Sequence, residues 1–521
     1  MRNLCTRILL LGIFAVFSEF IYAELRLPAV FSDHVVLQRD RPLPIWGWAS
    51  PGDKIIISLG KEKGECIADP TGKWMVRLPA QPVCKEPLTL TVKGGSTLEV
   101  KDVLLGDVWL CSGQSNMDFG LGGCNVPDDI KCADFPLIRH FRTEYNFASS
   151  SQMDVHGRWS VCSPGSAPGF SAVGFYFARQ VFKETGVPIG LLTSSVGGTN
   201  IELWISQETL LKTQALQPYA RLMKESLTEY QNQLAEALPA IEAWTAASRD
   251  AQRANAQIPM PPKWPEFPFG EKVARPRCAT LHNGMIAPLI PFGLKGVLWY
   301  QGENNTDGNL YFEKKSAMIA DWRAWFEKPD LPFYFVQLAA WQKPDENPAG
   351  GGWGAIRDVQ RRCLGIPYTG MAVTIDIGDA DDIHPKNKAD VGERLALWAL
   401  KNEYGKAELE TSGPLYKAIN IEGNRIRIAF EHTSSGLMIG KKIGKRPVEE
   451  DKSAKLQRFS ICGSDGKWYW ADATIDGDSV LVASSEVSKP TAVRYADGMN
   501  PAGCNLYNRA GLPASPFRAG E

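Results

Sequence analysis

Between residues 24 and about 103, short apolar or alternating segments recur: Val35-Val36-Leu37, Ile45 to Trp48, Lys54 to Leu59, Trp74 to Leu78 and Leu88 to Val92. Turns rich in Pro and Gly, such as Ser50-Pro51-Gly52-Asp53 and Gly94-Gly95, separate them. Short strands between regular turn signals predict a β-sandwich-like domain over 24–103. From 104 the pattern changes. Apolar runs at Val103 to Cys111, Ile189 to Val196, Gly296 to Tyr300, Phe333 to Leu338 and Met371 to Ile377 alternate with helical spacing at Ser171 to Thr185, Leu310 to Trp325 and Val391 to Tyr404. Strand–helix alternation predicts an α/β domain over 104–411, with a mostly parallel sheet between two helical layers. Residues 206 to about 257 interrupt it with Ala, Glu, Gln and Leu at helical spacing, and a Pro-rich run follows from Pro259 to Pro268. This predicts a helical, Pro-rich insertion over 206–268, read either as a cover over the site or as a solvated hairpin. Short β segments return over 412–521.

Composition narrows the function classes. The chain has 521 residues, 44% of them hydrophobic and 22% charged, with a formal net charge of -1. That balance gives no basis for a nucleic-acid partner or an anionic membrane surface. Sixteen tryptophans suit either sugar stacking or a large β-rich core.

Residues 1–23 carry Arg2 and Arg7, an apolar run from Ile8 to Phe17, and Ile21-Tyr22-Ala23 ending in a small residue. This is the pattern of a secretory signal peptide, so a secreted or periplasmic chain without membrane insertion is expected. Of eleven cysteines, Cys66/Cys84, Cys124/Cys132 and Cys462/Cys504 are plausible disulfide pairs in an oxidising compartment. No CxxC or HExxH spacing occurs, and neither metal nor cofactor is expected.

Four polar, glycine-bearing segments each follow a predicted strand. In Ser112-Gly113-Gln114-Ser115-Asn116, a serine at a strand–helix turn is exposed at the sheet's carboxyl end, beside free helix N–H groups. Alone, Ser115 reads as a helix cap. In Asp379-Ala380-Asp381-Asp382-Ile383-His384-Pro385, the Asp381-x-x-His384 spacing lets one turn present a base with its carboxylate; Asp382 and Asp379 are rivals for that role. Ser195-Val196-Gly197-Gly198-Thr199-Asn200 offers backbone N–H groups, and Gln301-Gly302-Glu303-Asn304-Asn305 offers neutral amides. All four converge on one rim of one sheet, where open α/β sheets bind ligands.

These blocks, together with Leu281-His282-Asn283-Gly284-Met285 and Asn505-Leu506-Tyr507-Asn508, resemble the SGNH/GDSL-type hydrolases, and within them the sialate O-acetylesterase and acetylxylan esterase branch. The resemblance spans essentially the whole mature chain. It implies a flavodoxin-like three-layer hydrolase domain that removes acetyl groups from O-acetylated sugars. It implies Ser115 as nucleophile, His384 as general base and Asp381 as its orienter. The Ser115 and Gly198 N–H groups would bind the oxyanion, with Gln301 as third donor and Asn304 as its rival. The superfamily's Gly-x-Asn-Asp block is altered at Asn305. Glu303 and Arg357 read as supporting residues, although Arg357 is also a candidate for a substrate carboxylate. Trp204 and Trp341 are candidates for core packing or for sugar stacking, and His282 for substrate contact. His34, His140, His156 and His432 read as packing or polar residues. The expected substrate is an O-acetylated sialic acid or glycan; acetylated xylan or pectin, or a decayed glycan-binding protein, are the alternatives.

Overall fold

The computed structural model describes residues 24–268, 278–306, 308, 310–344 and 346–520. The expected signal segment lies outside the described residues. The apolar runs of the middle region form one sheet: β1 (Thr97–Gly113), β2 (Phe135–Arg142), β3 (Trp159–Cys162), β4 (Ile189–Ser195), β5 (Gly296–Tyr300), β6 (Phe333–Val336) and β7 (Thr369–Ala372). Their spatial order is β7-β6-β5-β1-β4-β2-β3. All neighbours are parallel except the β2–β3 pair. β4, β5 and β6 are buried on both faces, which explains their unbroken hydrophobicity.

This order departs from the flavodoxin-like arrangement, in which the second strand lies directly beside the first. Here β4 takes that place and β2 lies outside it. The topological switch therefore falls at β1, flanked by β4 and β5. The carboxyl ends of those three strands carry the Ser115, Gly198 and Gln301 segments.

The helices include α1 (Ser115–Asp118), α2 (Ala172–Thr185), α3 (Gln217–Arg253), α4 (Tyr311–Trp325), α5 (Gly354–Arg362) and α6 (Lys388–Glu403). Local signals set their limits. Ser171 caps α2 by accepting from the Gly174 N–H, and Gly186 ends it in the left-handed conformation. Trp109 of β1 packs on Phe177 of α2 at 4.8 Å, and Trp299 of β5 packs on Trp322 of α4 at 6.0 Å. The register pairs Trp109 with Gly296 and Trp299 with Ser112, so the two indoles lie on opposite faces. Helices thus cover both sides of the sheet.

No chain break separates the first two regions. The boundary expected at 103/104 falls inside β1, whose first half pairs antiparallel with Cys84–Lys93 and whose second half is the centre of the parallel sheet. The C-terminal region contains two four-stranded antiparallel sheets. One runs Leu415–Glu422, Arg425–Glu431, Ser479–Ala483, Asp472–Asp476, and the other Trp468–Trp470, Phe459–Gly463, Pro490–Tyr495, Phe517–Ala519.

The insertion is a short helix, Gln207–Lys212, followed by the long α3 and a returning strap. Leu227, Tyr230, Leu234, Ala237, Ile241 and Trp244 form a stripe at three- and four-residue spacing along α3. The Pro-rich segment runs back along it: Trp244 Nε1 donates to Pro259 O at 2.8 Å, and the rings of Tyr230 and Phe267 lie 5.4 Å apart.

The three expected disulfides are not formed: Cys66, Cys84, Cys124, Cys132 and Cys504 are free thiols. For Cys66 and Cys84 the reason is topological. Their strands flank Lys54–Leu59 on opposite edges, and Cys84 lies beyond the paired stretch, opposite Leu105. No helix among the described residues is long and apolar enough to cross a membrane.

Candidate active site

The site begins with a backbone constraint. Gly113 ends β1 at φ +132, and a Cβ there would sit 2.1 Å from Tyr300 O. Only glycine fits this crossing of β1 and β5. The Gln114 N–H then donates to Tyr300 O at 2.9 Å, and α1 starts at Ser115. Ser115 is half-buried, whereas Ser112 is fully buried within the strand. A Cβ on Gly197 would approach Ser115 Cβ to 3.3 Å, so this glycine keeps space beside the serine. Gly198 adopts φ +67. Among the described residues, neither the Ser115 nor the Gly198 backbone N–H has a hydrogen-bond acceptor. Two unspent donors beside a serine at a helix start can receive an anionic oxygen.

The base loop is fastened to the same corner. Asn116 Nδ2 donates to Ile383 O at 3.0 Å, and the Phe119 ring stacks on the His384 imidazole at 5.9 Å and 17°. Burial, followed by the positive charge of Lys388, holds the His384 pKa below its ordinary value. A base that stays unprotonated in neutral solution can accept a serine proton.

The comparisons with known proteins coincide with this rim. The family model for "carbohydrate esterase, sialic acid-specific acetylesterase" matches residues 105–256 and 263–401. Sialate O-acetylesterase of Mus musculus is 30% identical, with 95% of this chain and 94% of the relative covered. The chain belongs to this esterase family. The human sialate O-acetylesterase is 29% identical over 95% of this chain and 92% of its own. A crystal structure of a carbohydrate acetylesterase from Xanthomonas citri is 36% identical, covers 95% of this chain and 99% of its own, and superposes with a TM-score of 0.78.

In this esterase the carboxylate facing His384 is that of Asp382. Its Oδ1 lies 3.5 Å from His384 Nδ1 and accepts the His384 backbone N–H at 2.8 Å. Lys386 binds the other oxygen at 2.9 Å and holds the Asp382 pKa down. Asp381 is exposed and makes no hydrogen bond or ion pair to His384 among the described residues; its own N–H turns back to Asp379. The one-residue shift follows from the turn itself, which points successive side chains in different directions.

Gln301 is fully buried. Its amide donates to Thr199 O at 3.1 Å and Asn305 Oδ1 at 2.7 Å, and its oxygen accepts from Tyr311 OH at 3.0 Å. Both amide hydrogens are spent, so in this arrangement it is not the third oxyanion donor. Asn304 Nδ2 is also committed, to Gly198 O at 2.8 Å and Asn200 Oδ1 at 3.2 Å. The two amides brace the turn that carries the Gly198 N–H.

Other expected contacts move away from substrate. Trp204 is fully buried, its indole N–H directed at Thr199 Oγ1. His282 is buried between Asp321, 3.9 Å away, and the Trp325 ring. Arg357 is fully buried and donates to the carbonyls of Leu338, Ala339, Gly498 and Met499, which fastens the C-terminal region to the end of β6. Trp341 is half-buried against Trp353 at 5.2 Å, and it bridges to Asp379 beside the base loop. It alone of the proposed aromatic contacts remains at the rim.

The sequence reading missed Lys388, which meets the supporting residue Glu303 through Asn116. Both carry a signal that local rules supply: a lysine opening a helix and a glutamate at a buried strand end each oppose ordinary preference.

Proposed function

We propose that this chain is an exported serine O-acetylesterase that removes acetyl groups from O-acetylated sialic acids. Ser115 Oγ attacks the acetyl carbonyl while His384 takes the hydroxyl proton. The tetrahedral oxyanion accepts from the Ser115 and Gly198 N–H groups. As the C–O bond to the sugar breaks, His384 returns the proton to the leaving sugar oxygen. A water, deprotonated by His384, then attacks the acetyl-serine, and acetate leaves as Ser115 regains its proton.

The observation that carries this reading is the convergence of Ser115, two unspent N–H donors and His384 at the switch point of one sheet. Two partly exposed cations flank α1, Arg142 paired with Asp118 and Lys386 paired with Asp382, so neither stands as an unpaired cation for the carboxylate of a sialic acid. The likeness to sialate O-acetylesterases along 95% of the chain supports the sialic acid substrate. Residues 1–23 support export. Acetate release from 9-O-acetyl sialic acid, acetylated xylan and acetylated pectin tests the assignment. The first substrate should be turned over fastest; preference for a neutral polymer would overturn the sialate reading and keep the esterase.

A further inference from the structure

Behind the serine lies a buried polar chain. Lys388 is 1% exposed, and its ammonium donates to Asn116 Oδ1. The same amide's Nδ2 donates to Glu303 Oε1 at 2.6 Å and to Ile383 O at 3.0 Å. Both neighbours of Nδ2 are acceptors and the neighbour of Oδ1 is a cation, so the amide has one satisfied orientation. Lys388 Nζ also lies 5.4 Å from the Phe119 ring, which stacks on His384, and 5.3 Å from the Tyr300 ring.

The placement is costly twice over. Lys388 is the first residue of α6, where the helix dipole disfavours a cation, and it is removed from water. Burial pushes its pKa down to about 8 and raises that of Glu303. Local rules broken together inside a site mark residues retained for function.

We propose that Lys388 is a positioning residue for the deacetylation: through Asn116 it locks the turn bearing Ser115 to the loop bearing His384, with its ammonium 5.4 Å from the Phe119 ring that stacks on the imidazole. The inference rests on the Ser115–His384 reading. The titratable groups that act on His384 are Lys388, Asp382 and Lys386; those that act on Lys388 are Cys124, Glu303, Lys386 and Asp382. Among the groups that act on His384, Lys388 is the one buried against the nucleophile turn.

The test is the pH profile of p-nitrophenyl acetate hydrolysis by wild type, Lys388→Gln, Lys388→Arg and Ser115→Ala, with imidazole NMR titration of His384 in the two Lys388 variants. Lys388→Gln should lower kcat roughly 10- to 100-fold through misplacement, leave KM within about twofold, and move the acid limb and the His384 titration to higher pH. Lys388→Arg should bring the His384 titration back toward wild type even if its bulk lowers kcat. An unmoved titration in Lys388→Gln, with Ser115→Ala inactive, overturns the role of Lys388 alone. An active Ser115→Ala overturns the parent reading and this inference with it.

Discussion

The side-chain amide of Asn116 donates to the backbone carbonyl of Ile383 across 3.0 Å, so the residue after Ser115 is fastened to the residue before His384. Two segments separated by more than 260 residues in sequence meet at one hydrogen bond. A static link of this kind lowers the cost of aligning nucleophile and base before reaction.

The carboxylate partner of His384 can be assigned by comparing two alanine variants. Asp382 faces Nδ1 and Asp381 faces solvent. Asp382→Ala should lower kcat by at least ~10²-fold, whereas Asp381→Ala should stay within about tenfold. In wild type the acid limb of kcat/KM should lie below the ordinary histidine pKa of about 6.5, because burial and Lys388 disfavour the imidazolium. A larger loss in Asp381→Ala would show that Asp381 turns inward when substrate binds.

Gln301 acts on catalysis through the Gly198–Asn200 turn. Replacing it by alanine leaves Thr199 O without its side-chain donor, leaves Asn305 Oδ1 with the Ile201 N–H as its remaining donor, and empties a buried volume. Gln301→Ala should therefore lose about 2–4 kcal/mol of stability along with its rate. A direct oxyanion donor would behave differently, losing roughly 10²–10³-fold in kcat with stability intact. Chemical denaturation and kinetics on the same variant separate the two.

A second buried lysine bears on stability alone. Lys315 of α4 is fully buried, its Nζ 3.0 Å from the centre of the Phe335 ring and without a hydrogen-bond partner among the described residues. Burial lowers its pKa to about 7. Below that value the folded protein carries the full penalty of a buried charge. The penalty fades as pH rises toward the unfolded lysine value of about 10.4. Lys315→Met should raise Tm by at least ~2 °C at pH 7, with the gain shrinking toward pH 10. A lower Tm at pH 7 would contradict this account of the site.

Much of the site was legible because its parts lie at strand ends, where the change from apolar run to Gly and polar residues is visible in the chain. Ser115, Gly198 and His384 were readable that way. Trp204 and Arg357 stayed open between a packing role and substrate contact, because sequence gives residue type without direction. An indole or guanidinium two residues further along a turn points into the core instead of the cleft. The strand order failed for a related reason: alternation of strands and helices predicts parallel pairing but not which crossover lands beside β1. Gln301 carried the right residue type at the right strand end, yet its hydrogen bonds run along the turn. Lys388 was overlooked because a lysine near a helix start reads as surface.

The central claim is that Ser115 forms the acetyl-enzyme. The most direct measurement is the steady-state hydrolysis of p-nitrophenyl acetate by Ser115→Ala, alongside its circular dichroism spectrum. The account predicts a native spectrum and a kcat/KM at least ~10³-fold below wild type; a well-folded variant that keeps most of the wild-type rate would contradict it.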